Sequence, residues 1–171
     1  MYNLHPIFVH FPIALLFVYS IIKILPVYRW LPNVAWRDIE RVLLVFGLGG
    51  AYLSLSTGEQ AADLSRPNES LVEAHEFFAN FSTRMYLLIM IGEVANYLNT
   101  KNFTFINKIN YLPKLIAWIE KVLTNKNLVL ILVVLGFITL FLTGVLGGVL
   151  VYGTTADPLA PFILKILNIN L

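Results

Sequence analysis

Three histidines are the residues of this chain best suited to chemistry. Two of them fall five residues apart in the opening segment, His5-Pro6-Ile7-Phe8-Val9-His10-Phe11-Pro12-Ile13-Ala14-Leu15, and the third, His75, opens another long apolar stretch. Imidazole is costly to hold at the edge of a hydrocarbon layer, so a histidine placed there is a candidate for function. Neutral imidazole serves as an axial ligand to haem iron and as a ligand to zinc, iron or manganese. There is no cysteine. That excludes disulfides, thiolate zinc sites, iron–sulfur clusters held by this chain and covalently attached c-type haem.

The elements that must position these histidines are apolar helices. The chain is 58% hydrophobic with a mean hydropathy of +0.75, above the usual apolar share of soluble domains. Its 171 residues suit one domain. Crossing hydrocarbon takes about 20 mostly apolar residues, and four stretches qualify: 6–25, 37–57, 71–98 and 128–152. The expected fold class is therefore an all-α integral membrane protein, a four-helix transmembrane bundle with short interfacial amphipathic helices at 102–125 and 158–168. Pro12 should bend the first helix beside His10. Ser70 and Glu73 have the spacing of a capping box for the third, and 58–69 reads as a polar link. No Lys or Arg precedes Lys23 and no small-residue cleavage site follows, so the first helix is expected to stay as an uncleaved anchor.

Charge gives the orientation. Nine of the 12 basic residues fall on one side of such a bundle, in or beside the 26–37 connection and the 99–125 segment. That side should be cytoplasmic, with both termini outside a bacterial inner membrane. The pI near 8.9 then reflects membrane orientation rather than nucleic acid. All three histidines and six of the ten acids, Glu59, Asp63, Glu69, Glu73, Glu76 and Asp157, gather at the outer end.

His10 and His75 lie at similar depth on helices that run the same way, so they pair as axial ligands of a b-type haem. Gly47, Gly50, Gly144 and Gly148 would give the porphyrin room. His5 sits about 140° from His10 around a regular helix and reads as a cap or interfacial residue. A mononuclear site from His10, His75, Glu59 and Glu76 is a further option, without a diagnostic spacing. Arg84 is 180° from His75 and completes a stripe with Glu73, Glu76 and Asn80. It could meet another subunit, a lipid phosphate or a quinone headgroup, or snorkel to the interface.

The blocks His5-Pro6…Val9-His10-Phe11-Pro12-Ile13, Gly58-Glu59…His75-Glu76 and Thr143-Gly144…Gly147-Gly148…Val151-Tyr152 resemble a family of bacterial membrane proteins, domain of unknown function 2231. The resemblance implies four helices. Because some relatives are fused to Rieske-type or c-type cytochrome domains, it also implies a respiratory setting. The expected function is a haem b subunit carrying electrons between the quinol pool and an extracytoplasmic acceptor, beside other subunits of a membrane complex. The alternatives are a cofactor-free docking subunit and the His/carboxylate metal site.

Overall fold

Apolar runs punctuated by Pro26, Asn68 and Asn125 fold as helices that start and stop at those residues. The structure is a computed structural model describing residues 5–65, 68–101, 109–155 and 157–170, with the side chains at 6, 7, 59, 60 and 62–65 outside the description. Its elements are α1 (His5–Ile24), α2 (Val27–Trp30), α3 (Trp36–Ser65), α4 (Glu69–Lys101), α5 (Leu112–Leu123), α6 (Lys126–Tyr152) and α7 (Ala160–Ile166). No strand occurs among the described residues.

The long helices pack in the cyclic order α1, α3, α4, α6, which leaves α1 diagonal to α4. Two of them are long and apolar enough to cross a membrane, over Trp36–Gly58 in α3 and Lys126–Tyr152 in α6. Only 28% and 39% of these stretches is buried in the bundle. Val45, Phe46 and Leu53 of α3 and Ile131, Ile138 and Phe141 of α6 all face outward. The core helix of a soluble protein would bury most of its apolar side chains, so this outward surface suits lipid better than water. The apolar part of α1, Phe8–Ile24, is shorter. α4, which carries Arg84 and Glu93, is not apolar enough by the same measure.

The bundle core is built from Leu16 and Tyr19 of α1, Leu44, Leu48 and Ala51 of α3, Tyr86 and Ile89 of α4, and Leu132, Val133 and Leu140 of α6. A second cluster at the His5 end joins Leu71 of α4, Val145, Leu146 and Val149 of α6, and Ala160, Ile163, Leu164 and Ile169 of the C-terminal segment. α7 closes with Asn168 in the left-handed region at φ 55°. Ile169 N–H then donates to the Leu164 carbonyl at 3.0 Å and Asn168 N–H to Lys165 at 3.3 Å, a Schellman closure that turns Ile169 into the cluster.

Two local expectations change. α3 continues to Ser65, so the segment that reads as a polar link after Gly58 is mostly helix. The cap of α4 is Asn68, whose side-chain oxygen accepts from Leu71 N–H at 3.2 Å and from the Ser70 hydroxyl at 2.6 Å. Ser70 therefore lies inside the helix, since Asn caps as well as Ser and stands two residues earlier. Pro12 is accommodated without ending α1. α5 falls within the amphipathic 102–125 segment, of which 102–108 lies outside the described residues. It buries Ile116 and turns Leu115 and Trp118 outward.

Close approach at glycines sets the helix spacing. A Cβ on Gly92 would sit 2.8 Å from Leu123 Cβ and 3.0 Å from the Leu123 carbonyl oxygen, whereas one on Gly49 would meet nothing within 4 Å. Gly92→Ala should therefore lower stability by about 1–3 kcal/mol through overpacking against backbone. Gly49→Ala should be neutral or raise it by up to about 1 kcal/mol through helix propensity. Thermal unfolding of the two variants in the same detergent checks the contrast.

Candidate functional site

His5 opens α1 and leans on α3. Its Nδ1 lies 3.0 Å from the Thr57 hydroxyl oxygen. The Thr57 hydroxyl also has the Leu53 and Ser54 carbonyls within reach, at 3.1 and 3.0 Å, so it can accept from a protonated Nδ1 or donate to an unprotonated one. Gly58 lies beside the ring, with an added Cβ only 3.6 Å from His5 Cε1. Burial pushes the His5 pKa down, opposed by a hydrogen bond to the Ser54 backbone, so the ring favours its neutral form.

His75 leans on α6 in the same manner. Its Nδ1 is 3.0 Å from the Thr143 carbonyl oxygen, which can only accept. Gly147 makes this possible, because a Cβ there would stand 3.1 Å from His75 Cε1. The two imidazoles sit at the same end of the bundle, since α1 and α4 run the same way. In both, Nδ1 meets an oxygen of a neighbouring helix; at His75 that oxygen is a carbonyl, so Nδ1 donates and the lone pair of the neutral ring is on Nε2. This is the tautomer a metal-ligating histidine adopts, with its second nitrogen oriented by an oxygen.

The pairing differs from the one expected. His10 is exposed, and the α1 histidine that turns into the bundle is His5. A helix that is apolar all round carries no phase to say which histidine faces inward. Gly47 and Gly50 are also corrected. A Cβ on Gly47 would lie 2.7 Å from Leu16 Cδ2, and one on Gly50 would lie 3.1 Å from Pro12 Cδ. Their space is filled by α1, not left for a flat ligand. Gly144 has nothing within 4 Å of such a Cβ, and Gly144 and Gly148 are both half-buried. Among the described residues no three His, Asp or Glu side chains come together as a metal site. Glu76 is exposed on α4, and the Glu59 side chain lies outside the described residues. Glu73, Asn80 and Arg84 are exposed as well, so the polar stripe of α4 faces out of the bundle.

The opposite end holds a polar centre that spacing did not reveal. Glu40 of α3 is 4% exposed. It accepts from Lys23 Nζ at 2.7 Å and from the Tyr28 hydroxyl, which ties the end of α1, the α2 turn and the start of α3 together. Burial, and then the hydrogen bond to Glu40, push the Tyr28 pKa up, which keeps that hydroxyl a donor. One turn deeper, the Tyr86 hydroxyl donates to Ser20 at 2.7 Å, because the Ser20 proton goes to the Leu16 carbonyl at 2.8 Å. Tyr19 lies edge-on to Tyr86, and its buried hydroxyl has no partner among the described residues. Arg41 reaches Glu93 of α4 at 3.5 Å. The usable sequence signal was Lys23, isolated between Ile22 and Ile24; Glu40 stands in the charged run Arg37-Asp38-Ile39-Glu40-Arg41 and gives none.

No family model, no curated protein and no solved structure matches this chain.

Lys23→Met would leave the Glu40 carboxylate buried and unpaired, and should destabilise by about 3–5 kcal/mol. Lys23→Met combined with Glu40→Leu should recover most of that loss, because Tyr28, 47% exposed, can turn to water. Chemical or thermal unfolding of the single and double variants measures the difference. At the other end, a His5 pKa held below its ordinary 6.5 means the unfolded chain binds the proton first. The His5 contribution is therefore present above pH 6.5 and lost as pH falls through the folded value. The Tm of the wild type should drop on acidification from 7.5 to 5 by more than that of His5→Gln.

Proposed function

We propose that this chain is a four-helix membrane subunit that would hold a b-type haem at its outer end through His5 and His75. It would carry electrons between the quinol pool and an extracytoplasmic acceptor. The observation that carries the reading is a pair of imidazoles on diagonal helices at one end of the bundle, each with Nδ1 3.0 Å from an oxygen of a neighbouring helix.

The membrane frame is supported by packing. α6 is the most apolar helix, and α4 lies along it from Gly147 beside His75 to Gly136 beside Tyr86. If α6 crosses, α4 crosses with it. α1 is fastened to α3 at both ends, through Lys23–Glu40 and His5–Thr57. Lys23, Arg41, Lys114, Lys121 and Lys126 cluster at the end away from the histidines, which favours a cytoplasmic placement of that end in a bacterial inner membrane and both termini outside. The resemblance of the opening segment to domain of unknown function 2231, with relatives fused to cytochrome-type domains, points to the same setting.

A bound haem supplies one-electron chemistry. The chain's own residues do the rest. Thr57 and the Thr143 carbonyl would fix the ring orientation of the two ligands and raise the basicity of their Nε2 atoms. The open side of Gly144 would admit a flat group, while Leu16 and Pro12 block the α3 side.

Reduced-minus-oxidised absorption spectra of the purified protein test the proposal. Sharp low-spin b-type bands are expected, abolished or shifted to high spin in His5→Ala and in His75→Ala, and unchanged in His10→Ala. Protein that carries no haem, or a spectrum lost in His10→Ala but kept in His5→Ala, would overturn it. A cofactor-free docking subunit is the second reading, favoured by an exposed Arg84 that has no ion pair among the described residues.

A further inference from the structure

Arg84 stands where a bilayer is least able to hold it. Nine residues before it, His75 packs against the outer part of α6. Nine residues after it, Glu93 pairs with Arg41 among the basic residues of the other end. At 1.5 Å per residue, Arg84 is about 13 Å from each marker, midway through a layer about 30 Å thick. Its side chain is exposed, and none of the ion pairs or ring contacts among the described residues involves it. Helical side chains lean toward the N-terminus, so the guanidinium leans toward Asn80 and Phe77. Both are exposed, and neither supplies a negative charge.

We infer that this face of α4 is an interface for a transmembrane helix of a different protein, one that carries an Asp or Glu near the bilayer centre. The inference rests on the membrane-crossing reading of α4 and not on the haem. A guanidinium binds a carboxylate through paired N–H donors, and hydrocarbon leaves no competing water. The stripe sets the complement. It runs from Arg84 through Asn80 and Phe77 to Glu76 and Glu73 at the outer end, and is apolar below, at Ile91 and Val94. The matching helix is acidic at mid-depth, polar or basic at its outer end and apolar on the cytoplasmic side. A second copy does not meet that description. Two copies related by an axis along the membrane normal would set Arg84 against Arg84 at the same depth, with the nearest acid of the stripe, Glu76, two turns away.

The test uses the full chain in membranes, with a designed single-span Leu/Ala helix bearing one central Glu as the probe, read by energy transfer between fluorescent fusions. Association is expected with the Glu helix. It should be absent with otherwise identical Gln or Leu helices, and lost in Arg84→Leu. Arg84→Glu should lose the Glu helix and gain a helix with a central Lys, a result no misfolded variant would give. Equal association of the Leu helix, retention by Arg84→Leu, or failure of the Lys helix to bind Arg84→Glu would overturn the inference. So would self-association of the chain that Arg84→Leu abolishes, which would make the occupant a second copy. Because the chain has no cysteine, Glu69→Cys and Lys101→Cys can each be labelled uniquely from either side. Labelling from one and the same side would overturn the crossing of α4 itself, while labelling from opposite sides leaves any failure to the partner alone.

Discussion

Glu40 is a carboxylate with almost no exposed surface, and the end of the bundle around it is arranged to give it partners. Lys23 supplies the counter-charge and Tyr28 a second donor, from two elements that sequence alone would leave free to splay. A buried ion pair adds little net stability over well-packed apolar residues, but removing one partner is expensive. Its effect here is registry. Once Lys23 meets Glu40, the antiparallel α1 and α3 have only one alignment. That alignment brings Leu16 over Gly47, Pro12 over Gly50 and His5 to Thr57, in order along the seam. The His5 contact is in this sense set by the Glu40 contact at the other end.

The α4–α6 pair is assembled by different means. Tyr86 covers Gly136, and His75 covers Gly147, so small residues on α6 receive large ones on α4. In lipid, helices gain nothing by hiding apolar groups from one another, and close packing of this kind replaces the hydrophobic drive. The hydroxyls of Thr139 and Thr143 return to their own helix carbonyls, so neither is left as an unpaired donor in the packed interior. The two pairs then join through Tyr86, whose hydroxyl crosses the diagonal to Ser20 of α1.

Much of this was legible in the sequence. Apolar run length located the long helices to within a few residues at most ends, because that signal does not depend on partners. Phase was not legible. α1 is apolar all round, so the inward position of His5 and the outward position of His10 were undetermined until α3 and α6 were in place. The glycines were ambiguous for a related reason, since a missing side chain marks a close approach without saying what approaches. At 47 and 50 it is α1, and at 147 it is the candidate ligand itself. Glu40 was missed because its partners lie 17 and 12 residues away across a turn, outside any helical spacing. On α4, by contrast, Glu73, Glu76, Asn80 and Arg84 could be grouped from spacing, and the structure places all of them on its exposed face.

α4 is the element that both proposals share, and it presents their residues on opposite sides. His75 and Arg84 are nine residues apart, half a turn out of phase. One points to Thr143 and Gly147 inside the bundle, the other away from it. A ligand held between His5 and His75 and a helix held by Arg84 would therefore not compete for space. They would be linked mechanically, because α4 is rigid over that distance and the His75 ring fits only while Gly147 stays in contact. A partner that tilted or shifted α4 by even a fraction of a turn would move the Thr143 hydrogen bond that fixes the tautomer of His75. The chemistry at the outer end and the assembly state of the membrane complex would then be coupled through one helix, without any contact between partner and ligand.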